Sequence, residues 1–239
     1  MRLLALNPNT SPEVTAAFVA EARRIAPEGT LIDGVTGGFG ARIVTTEAEN
    51  LIAAHAALEL AAQHAGGVDG VILAISFDTA LRALSELLPV PVVGLTEAAL
   101  AATGGVPFGV VIFGASSQPL YARLLEGYGY SPAGWEVIEF ASREDYLDAE
   151  RRDGAVLGAI DKLAQAGAQA VVILGAAIVG MAARLAPRAA VPVSDGAAAL
   201  ALCRDRIAGG AAQPARPVPI AESIGLSPAL AALLAGTQP

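Results

Sequence analysis

The chain has 239 residues, of which 54% are hydrophobic and 16% are charged. Fifteen Lys and Arg against 23 Asp and Glu give a formal net charge of −8, which argues against nucleic acid or an anionic membrane surface as a partner. No apolar run reaches the roughly 18–20 residues of a membrane helix, and no basic segment precedes an apolar one at the N-terminus. The sequence therefore predicts a soluble, cytoplasmic protein.

Residues that commonly bind metals or cofactors are sparse. The single Cys203 excludes an internal disulfide and a cysteine-based metal cluster. His55 and His64 lie nine residues apart in an Ala-rich segment, which is not a metal-ligand spacing. The glycine-rich stretches GGFG and TGGVPFG match neither the dinucleotide-binding pattern nor the P-loop. We therefore expect no metal site and no cofactor.

Apolar runs of strand length alternate with amphipathic runs of helix length. Runs such as GVILAI and AVVILG lack polar alternation, as parallel strands covered on both faces require. The pattern predicts an α/β fold of right-handed βαβ units. The predicted strands are Arg2–Leu6, Thr30–Val35, Gly70–Ile75, Val90–Val93, Gly109–Phe113, Trp135–Phe140, Ala170–Leu174 and Val191–Val193. The predicted helices are Ser11–Ile25, Glu47–Ala65, Asp78–Leu87, Gln118–Tyr128, Asp153–Gln165 and Ile178–Leu185.

An internal repeat indicates two similar halves. The segment GVILAISFDTALRALSELLPVPVVG aligns with AVVILGAAIVGMAARLAPRAAVPVSD without gaps, from Leu73 and Leu174 onward, at an offset of 101. We predict two small α/β domains related by pseudo-twofold symmetry, one of residues 1–95 completed by segment 206–239 and one of residues 96–205. The alternative is that the halves share only generic α/β patterning.

Ligands of open parallel sheets bind beyond the carboxyl ends of the strands. The predicted site therefore lies in a cleft between the two halves, where four loops that follow strands meet. These loops are Asn7–Ser11, Ile75–Thr79, Gly114–Gln118 and Gly175–Val179.

The first loop carries two short amides at the end of a strand. Asn7 and Asn9 suit a ligand carbonyl or carboxylate, and the helix N-terminus that follows Thr10 favours anionic oxygen. Thr10 or Ser11 is alternatively a helix cap.

In the second loop, Ser76, Phe77, Asp78 and Thr79 are candidate substrate-binding residues. The Ser76 hydroxyl has no histidine in a comparable loop to activate it, so its backbone N–H is the better candidate, as an oxyanion donor. Asp78 has an alternative role as the N-cap of the helix that follows.

The corresponding loops of the second half offer small and hydroxylic residues. Gly175, Ala176 and Ala177 let a ligand approach backbone N–H groups, although tight packing of strand on helix explains them equally well. Ser116 and Ser117 either bind a carboxylate or cap a helix.

Six segments in chain order resemble one family: LNPNTS, FGARIV, VILAISFDTALRAL, VPVVGLTEAAL, FGVVIFGASSQPLY and ILGAAIVGMAARLAPRAAVPVSDG. Together they are similar to the Asp/Glu/hydantoin racemase superfamily, and most similar to its hydantoin and allantoin racemase branch. The resemblance implies two flavodoxin-like domains that face each other across the active-site cleft. It also implies no cofactor and a homo-oligomer.

The resemblance further implies proton transfer by two cysteines on opposite faces of a stereocentre. Family segments like A-C-F-x-D-P-G-L and L-G-C-A lie over Ala74–Leu81 and Leu174–Ala177. The cysteines then correspond to Ile75, or to Ser76 if the alignment shifts by one, and to Ala176. An alkyl group exchanges no proton and a serine hydroxyl is far too weak an acid to replace a thiol. Cys203 lies beyond these loops, and we expect it in the core.

The predicted function is that of a cofactor-independent racemase or isomerase-like protein with its proton-transfer cysteines replaced. It would act at the α-carbon of a hydantoin-like or amino-acid-like small molecule that carries a carbonyl or carboxylate. Two alternatives stay open on the same fold. One is a cysteine-less lyase of the decarboxylase type, and the other is a non-catalytic protein that binds a small metabolite.

Overall fold

The computed structural model describes residues 1–142, 144–145, 148–210 and 223–236. Residues 211–222 and 237–239 of the predicted segment 206–239 lie outside this description. The strands are β1 (Arg2–Asn7), β2 (Leu31–Thr36), β3 (Gly70–Leu73), β4 (Val92–Gly94), β5 (Phe108–Phe113), β6 (Gly134–Ile138), β7 (Ala170–Ile173) and β8 (Val193–Ser194). The helices are α1 (Pro12–Ile25), α2 (Glu47–His64), α3 (Leu81–Leu87), α4 (Leu95–Ala101), α5 (Gln118–Gly127), α6 (Ala149–Gln165), α7 (Met181–Leu185), α8 (Ala198–Ala208) and α9 (Pro228–Leu234).

The strands form two parallel sheets with the same topology. The first has the order β2-β1-β3-β4 and the second the order β6-β5-β7-β8. The central strands β3 and β7 are buried along their whole length, which explains their unbroken apolar sequences. The predicted α/β fold with two parallel sheets is confirmed.

Helix α1 shows why the flanking helices pack on the sheets. Its buried residues Thr15, Phe18, Val19 and Ala22 recur at helical spacing and form one stripe, which packs on the first sheet. Among the described residues, no helix is both long enough and apolar enough to span a membrane.

The chain returns to the first sheet after β8. Helix α8 packs on α4 and on β3 and β4 of the first sheet. The predicted boundary instead assigns most of α8 and nearly all of α4 to the second domain, residues 96–205. Arg206 of α8 binds Glu97 at 2.6 Å and donates a hydrogen bond to the Val92 carbonyl oxygen. Helix α9 packs on α2. Both helices therefore pack on elements of the first half.

The two halves do not align at one constant offset, so the predicted gapless alignment at an offset of 101 is wrong by one residue over part of its length. Strands β3 and β7 occupy the same place in their sheets and begin 100 residues apart. Val71 of β3 lies opposite Val92 of β4, whereas Val171 of β7 lies opposite Val193 of β8, so the fourth strands differ by 101. One extra residue therefore lies between β7 and β8, and the loops directly after β3 and β7 correspond at an offset of 100.

Asp78 caps a different helix from the one it precedes in sequence. Its carboxylate accepts hydrogen bonds from the backbone N–H groups of Thr96 and Glu97, at 3.0 and 2.7 Å, in the first turn of α4. The Tyr128 hydroxyl, from the second half, donates to the same carboxylate at 2.8 Å. Helix α3 begins only at Leu81, because Asp78 and Ala80 have φ values of 49° and 63°, which a right-handed helix does not allow. The predicted helix start at Asp78 is therefore wrong.

The carboxylate of Asp78 requires a glycine at position 94. A Cβ on Gly94 would lie 2.2 Å from Asp78 Cγ, which is far inside van der Waals contact. We expect Gly94→Ala to lower the free energy of unfolding by about 1–3 kcal/mol, as overpacking does in a closed interior. Urea denaturation at equilibrium measures the change.

Gly158→Ala provides the matched control. Gly158 is exposed on α6, and nothing lies within 4 Å of the Cβ position there. Alanine should raise the free energy of unfolding by about 0.5–1 kcal/mol, because it favours the helix. Equal effects of the two substitutions would contradict the role assigned to Gly94.

Candidate functional site

A cavity of about 340 Å³ lies between the two halves, at the carboxyl ends of strands from both sheets. Nine of its lining residues are candidates from the sequence: Asn9, Ile75, Ser76, Phe77, Ser116, Ser117, Gly175, Ala176 and Ala177. Eight others line it as well: Val14, Ile43, Val44, Thr45, Phe113, Tyr121, Leu174 and Ile178. Residues from all four of the predicted loops meet there.

Two equivalent turns face the cavity, one from each half. The Asp78 N–H donates to the Ile75 carbonyl oxygen and the Ile178 N–H donates to the Gly175 carbonyl oxygen, both at 3.3 Å. Ile75 therefore corresponds to Gly175. One residue later, Ser76 corresponds to Ala176.

These turns offer backbone donors to a ligand. Within the described part of the chain, the N–H groups of Ser76, Phe77, Ala176 and Ala177 donate to no acceptor. Gly175, with a φ of 151°, turns the second-half backbone toward the cavity in a conformation that favours glycine. Four N–H groups in two facing turns form an arrangement suited to anionic or carbonyl oxygen.

Ser76 and Tyr121 place two hydroxyl groups in the cavity wall. The Ser76 Oγ is buried and has no hydrogen-bond partner among the described residues. It lies near the Tyr121 phenol, whose pKa it lowers in part. The ring of Tyr121 contacts that of Phe77, with centroids 4.4 Å apart. Burial raises the pKa of Tyr121 well above its usual range, so the phenol is a hydrogen-bond donor and not a base at neutral pH.

Asn9 lines the cavity and Asn7 positions it. The Asn7 amide nitrogen donates to Asn9 Oδ1 at 2.9 Å, and also to the Ser11 carbonyl oxygen and Thr15 Oγ1. Asn9 Oδ1 also accepts from the Ser11 N–H, which leaves the Asn9 amide nitrogen for a ligand oxygen. Asn7 is fully buried and is not part of the lining.

Three further candidates lie outside the lining and have other partners. The Thr10 N–H donates to the Ala41 carbonyl oxygen, and the Thr79 hydroxyl donates to Asn50 on α2. Asp78 faces α4 and Tyr128, as described above. Ser11 occupies the N-cap position of α1 without a side-chain capping bond.

The two candidate serines of the second half differ in burial and in hydrogen bonding. The Ser117 hydroxyl donates to the Gly114 carbonyl oxygen at 3.0 Å, and its side chain is buried. Ser116 is exposed and lines the cavity. Ser116 is therefore the freer of the two hydroxyls.

Sequence reasoning missed the residues of the loop between β2 and α2 and the tyrosine on α5. Ile43 and Val44 belong to the FGARIV segment that resembles the family and Thr45 follows it, but whether these side chains face the cavity depends on the path of the loop. Tyr121 lies four residues after Ser117, so its position on the first turn of α5 was the available signal.

Strong proton-transfer groups are scarce around the cavity. In the described part of the chain, Tyr121 is the one lining residue with a titratable side chain. Cys203 lies in the core, as expected, and burial raises its pKa to about 12. No group of three or more His, Cys, Asp or Glu side chains is placed to hold a metal ion among the described residues.

Comparison with known proteins identifies the family of the chain. The Asp/Glu/hydantoin racemase family profile matches residues 3–203. The chain belongs to this family. The hydantoin racemase of Paenarthrobacter aurescens is 29% identical over 102 residues, which are 42% of this chain and only 43% of that relative.

Two solved structures match over nearly the full length. The allantoin racemase from Klebsiella pneumoniae is 29% identical, with a TM-score of 0.86 over 96% of this chain and 98% of the other. The allantoin racemase from Pseudomonas fluorescens is 28% identical, with a TM-score of 0.85 over 94% of this chain and all of the other. The expected family and fold are confirmed.

The buried Asp78 makes the stability of the protein depend on pH. Burial raises the pKa of Asp78 from 3.8 to about 7. Between these values the unfolded chain carries an ionised Asp78 and the folded chain a protonated one. Because the folded state then binds more protons, the free energy of unfolding falls as pH rises, by on the order of 4 kcal/mol in all.

Urea denaturation from pH 4 to pH 8 measures this dependence. The Asp78→Asn variant should show a shallower fall across the interval than the wild type. Asp161→Asn, on the exposed face of α6, should leave the profile unchanged. Wild type and Asp78→Asn profiles of equal slope would exclude Asp78 as the source.

Proposed function

We propose that the protein binds a neutral hydantoin-like small molecule between the Ser76 and Ala176 turns and promotes proton exchange at its stereocentre, which racemises it. The observation that carries the proposal is the pair of equivalent turns whose free N–H groups face one cavity. The full-length similarity to two allantoin racemases and the partial similarity to a hydantoin racemase support it.

The backbone N–H groups of the two turns stabilise the negative charge that develops on the ligand. Loss of the proton from the stereocentre of a hydantoin moves charge onto the adjacent carbonyl oxygen and gives an enolate. Donors fixed in advance at that oxygen lower the barrier, because they need no reorganisation as the charge develops. The N–H groups of Ala176 and Ala177, or those of Ser76 and Phe77, take this role, and the Asn9 amide nitrogen binds a second ring oxygen.

The proton itself moves through water in this proposal. No lining side chain of the described chain has a pKa near neutrality, so hydroxide accepts the proton from carbon and becomes water. A water molecule then returns a proton to either face of the enolate and regenerates hydroxide. Return to opposite faces with similar frequency racemises the ligand.

The structural equivalence also bears on the replaced cysteines. The resemblance places one at Ile75 or Ser76 and the other at Ala176. Because Ser76 corresponds to Ala176, we propose Ser76 and Ala176 as the replaced pair, with Ile75 as a buried core residue beside them. One face of the ligand then meets a hydroxyl and the other a methyl group.

The direct test is proton NMR in deuterium oxide with a single-enantiomer 5-benzylhydantoin. The stereocentre signal should disappear, and optical rotation should fall at the same rate. After subtraction of the uncatalysed reaction, the rate should rise about tenfold per pH unit between pH 6 and 8, since hydroxide is the base. Cys203→Ala, which changes a thiol outside the cavity, should behave as the wild type.

Two results would contradict this proposal. A rate that levels off with pH would reveal a protein base in the cavity. Saturable binding with no exchange above background would show a protein that binds without turnover. That second function is favoured by one observation, the scarcity of titratable side chains in the lining, and the same experiment decides between the two.

Restoring thiols tests the equivalence of the two turns. Ser76→Cys combined with Ala176→Cys should raise the exchange rate by at least about 100-fold, because a thiolate and a thiol then flank the stereocentre. The matched control is Ile75→Cys combined with Ala176→Cys, which should stay near the wild-type rate. If the control variant exchanges the proton faster than the test variant, Ile75 and not Ser76 corresponds to the family cysteine.

We also propose a homo-oligomer that needs no cofactor, as the resemblance implies, and that is cytoplasmic, as the sequence predicts. Large apolar side chains at Phe39, Leu51 and Ile52 are between 42% and 66% exposed, which supports contact with another copy. Sedimentation of the purified protein measures the assembly state.

A further inference from the structure

The cavity has several polar groups in its interior and an aliphatic wall that extends to an exposed residue. Asn9, Ser76 and Tyr121 are polar lining residues with buried side chains. Three aliphatic lining residues from the first half show increasing exposure in the order Val44, Val14 and Ile43. Ile43 is 67% exposed.

The loop that carries Ile43 is fixed before any ligand arrives. At its start, the Gly37 N–H donates to the Asn7 carbonyl oxygen at 2.8 Å. In the middle, the Thr10 N–H donates to the Ala41 carbonyl oxygen at 3.1 Å. At its end, the first turn of α2 closes with a capping box. Ile43 is thus held at the mouth, and little conformational freedom remains to be lost when a ligand covers it.

No charged side chain lines the cavity in the described part of the chain. Arg42, next to Ile43 in sequence, instead pairs with Glu13 at 2.8 Å on the surface, and both side chains are about two-thirds exposed. A ligand carboxylate inside the cavity would lack a cation, and burial of an unpaired charge is strongly unfavourable. The cavity therefore favours an uncharged ligand.

We propose that Ile43 is a specificity-determining residue that packs on an apolar substituent of the bound ring, so that an aliphatic 5-substituted hydantoin binds better than one with a polar ureido substituent. This inference rests on the proposed function, since it places the polar ring beside the Ser76 and Ala176 turns. The substituent then points along the wall of Val44, Val14 and Ile43. Free amino acids, which carry a carboxylate, bind poorly.

Ligand-observed NMR titration tests the inference with three probes: unsubstituted hydantoin, 5-isobutylhydantoin and allantoin. Wild type should bind the isobutyl compound about tenfold more tightly than either of the others, which is the gain of burying about two methylene groups. Ile43→Ser should weaken binding of the isobutyl compound about tenfold and leave that of unsubstituted hydantoin unchanged.

Leu31→Ser is the matched control. Leu31 is 64% exposed, close to the 67% of Ile43, but it lies on β2 outside the cavity lining. It should change the affinity for none of the probes. Thermal denaturation of each variant confirms that the folds are comparable.

The outcomes separate the inference from the function on which it rests. If unsubstituted hydantoin binds but Ile43→Ser weakens all probes alike or none, the assignment of Ile43 is overturned and the proposed ring site stands. If allantoin binds wild type more tightly than the isobutyl compound, the apolar preference is overturned. If no probe binds, the proposed function fails and the inference fails with it.

Discussion

The buried Asp78 joins three parts of the molecule: the turn that carries Ser76, the start of α4, and Tyr128 of the second half. Its N–H closes the turn that carries Ser76, its carboxylate caps α4, and the Tyr128 hydroxyl reaches it from the other half. Tyr128 lies just beyond α5, the helix that carries Tyr121. The network therefore fixes the Ser76 turn against the wall to which Tyr121 belongs. Burial keeps Asp78 protonated at mildly acidic pH, and near neutrality the carboxylate is available to the two N–H donors.

The duplicated sheet explains why a site exists between the halves at all. Parallel strands present their carboxyl ends, and the free N–H groups that follow, at one edge. Two such edges that face each other give a ligand donors on both sides. Among the described residues, its lining contains hydroxyls and an amide but no thiol and no histidine. In the proposed function, the site therefore stabilises charge, and water accepts and returns the proton.

Much of the fold could be predicted from the sequence, because its signals are local. Runs of mostly apolar residues identified all eight described strands, and the loops that follow four of these strands contain nine of the lining residues. The predicted offset of 101 is wrong by one residue at β3 and β7. Both strands are runs of similar apolar residues, so the sequences align equally well at an offset of 100 or 101. That one residue decides whether Ile75 or Ser76 corresponds to Ala176.

What could not be predicted depends on contacts between distant segments. Asp78 caps α4, 18 residues away, and meets Tyr128, 50 residues away. Neither partner is marked by a local pattern. Ile43 enters the cavity wall only because its loop is fastened to the first loop of the chain at Gly37 and Ala41. Helix α8 follows β8 in sequence but packs on the first sheet, so the chain order alone assigns it to the wrong half.

A crystal structure of the protein with 5-isobutylhydantoin would show directly whether the two turns bind the ligand. The ring should lie between Ser76 and Ala176, with one ring oxygen within hydrogen-bond distance of an N–H group of either turn. A ligand bound elsewhere, such as in a separate cavity that Asp78 and Tyr128 line, would contradict the proposed site. So would a ring in the predicted cavity whose oxygens contact neither turn.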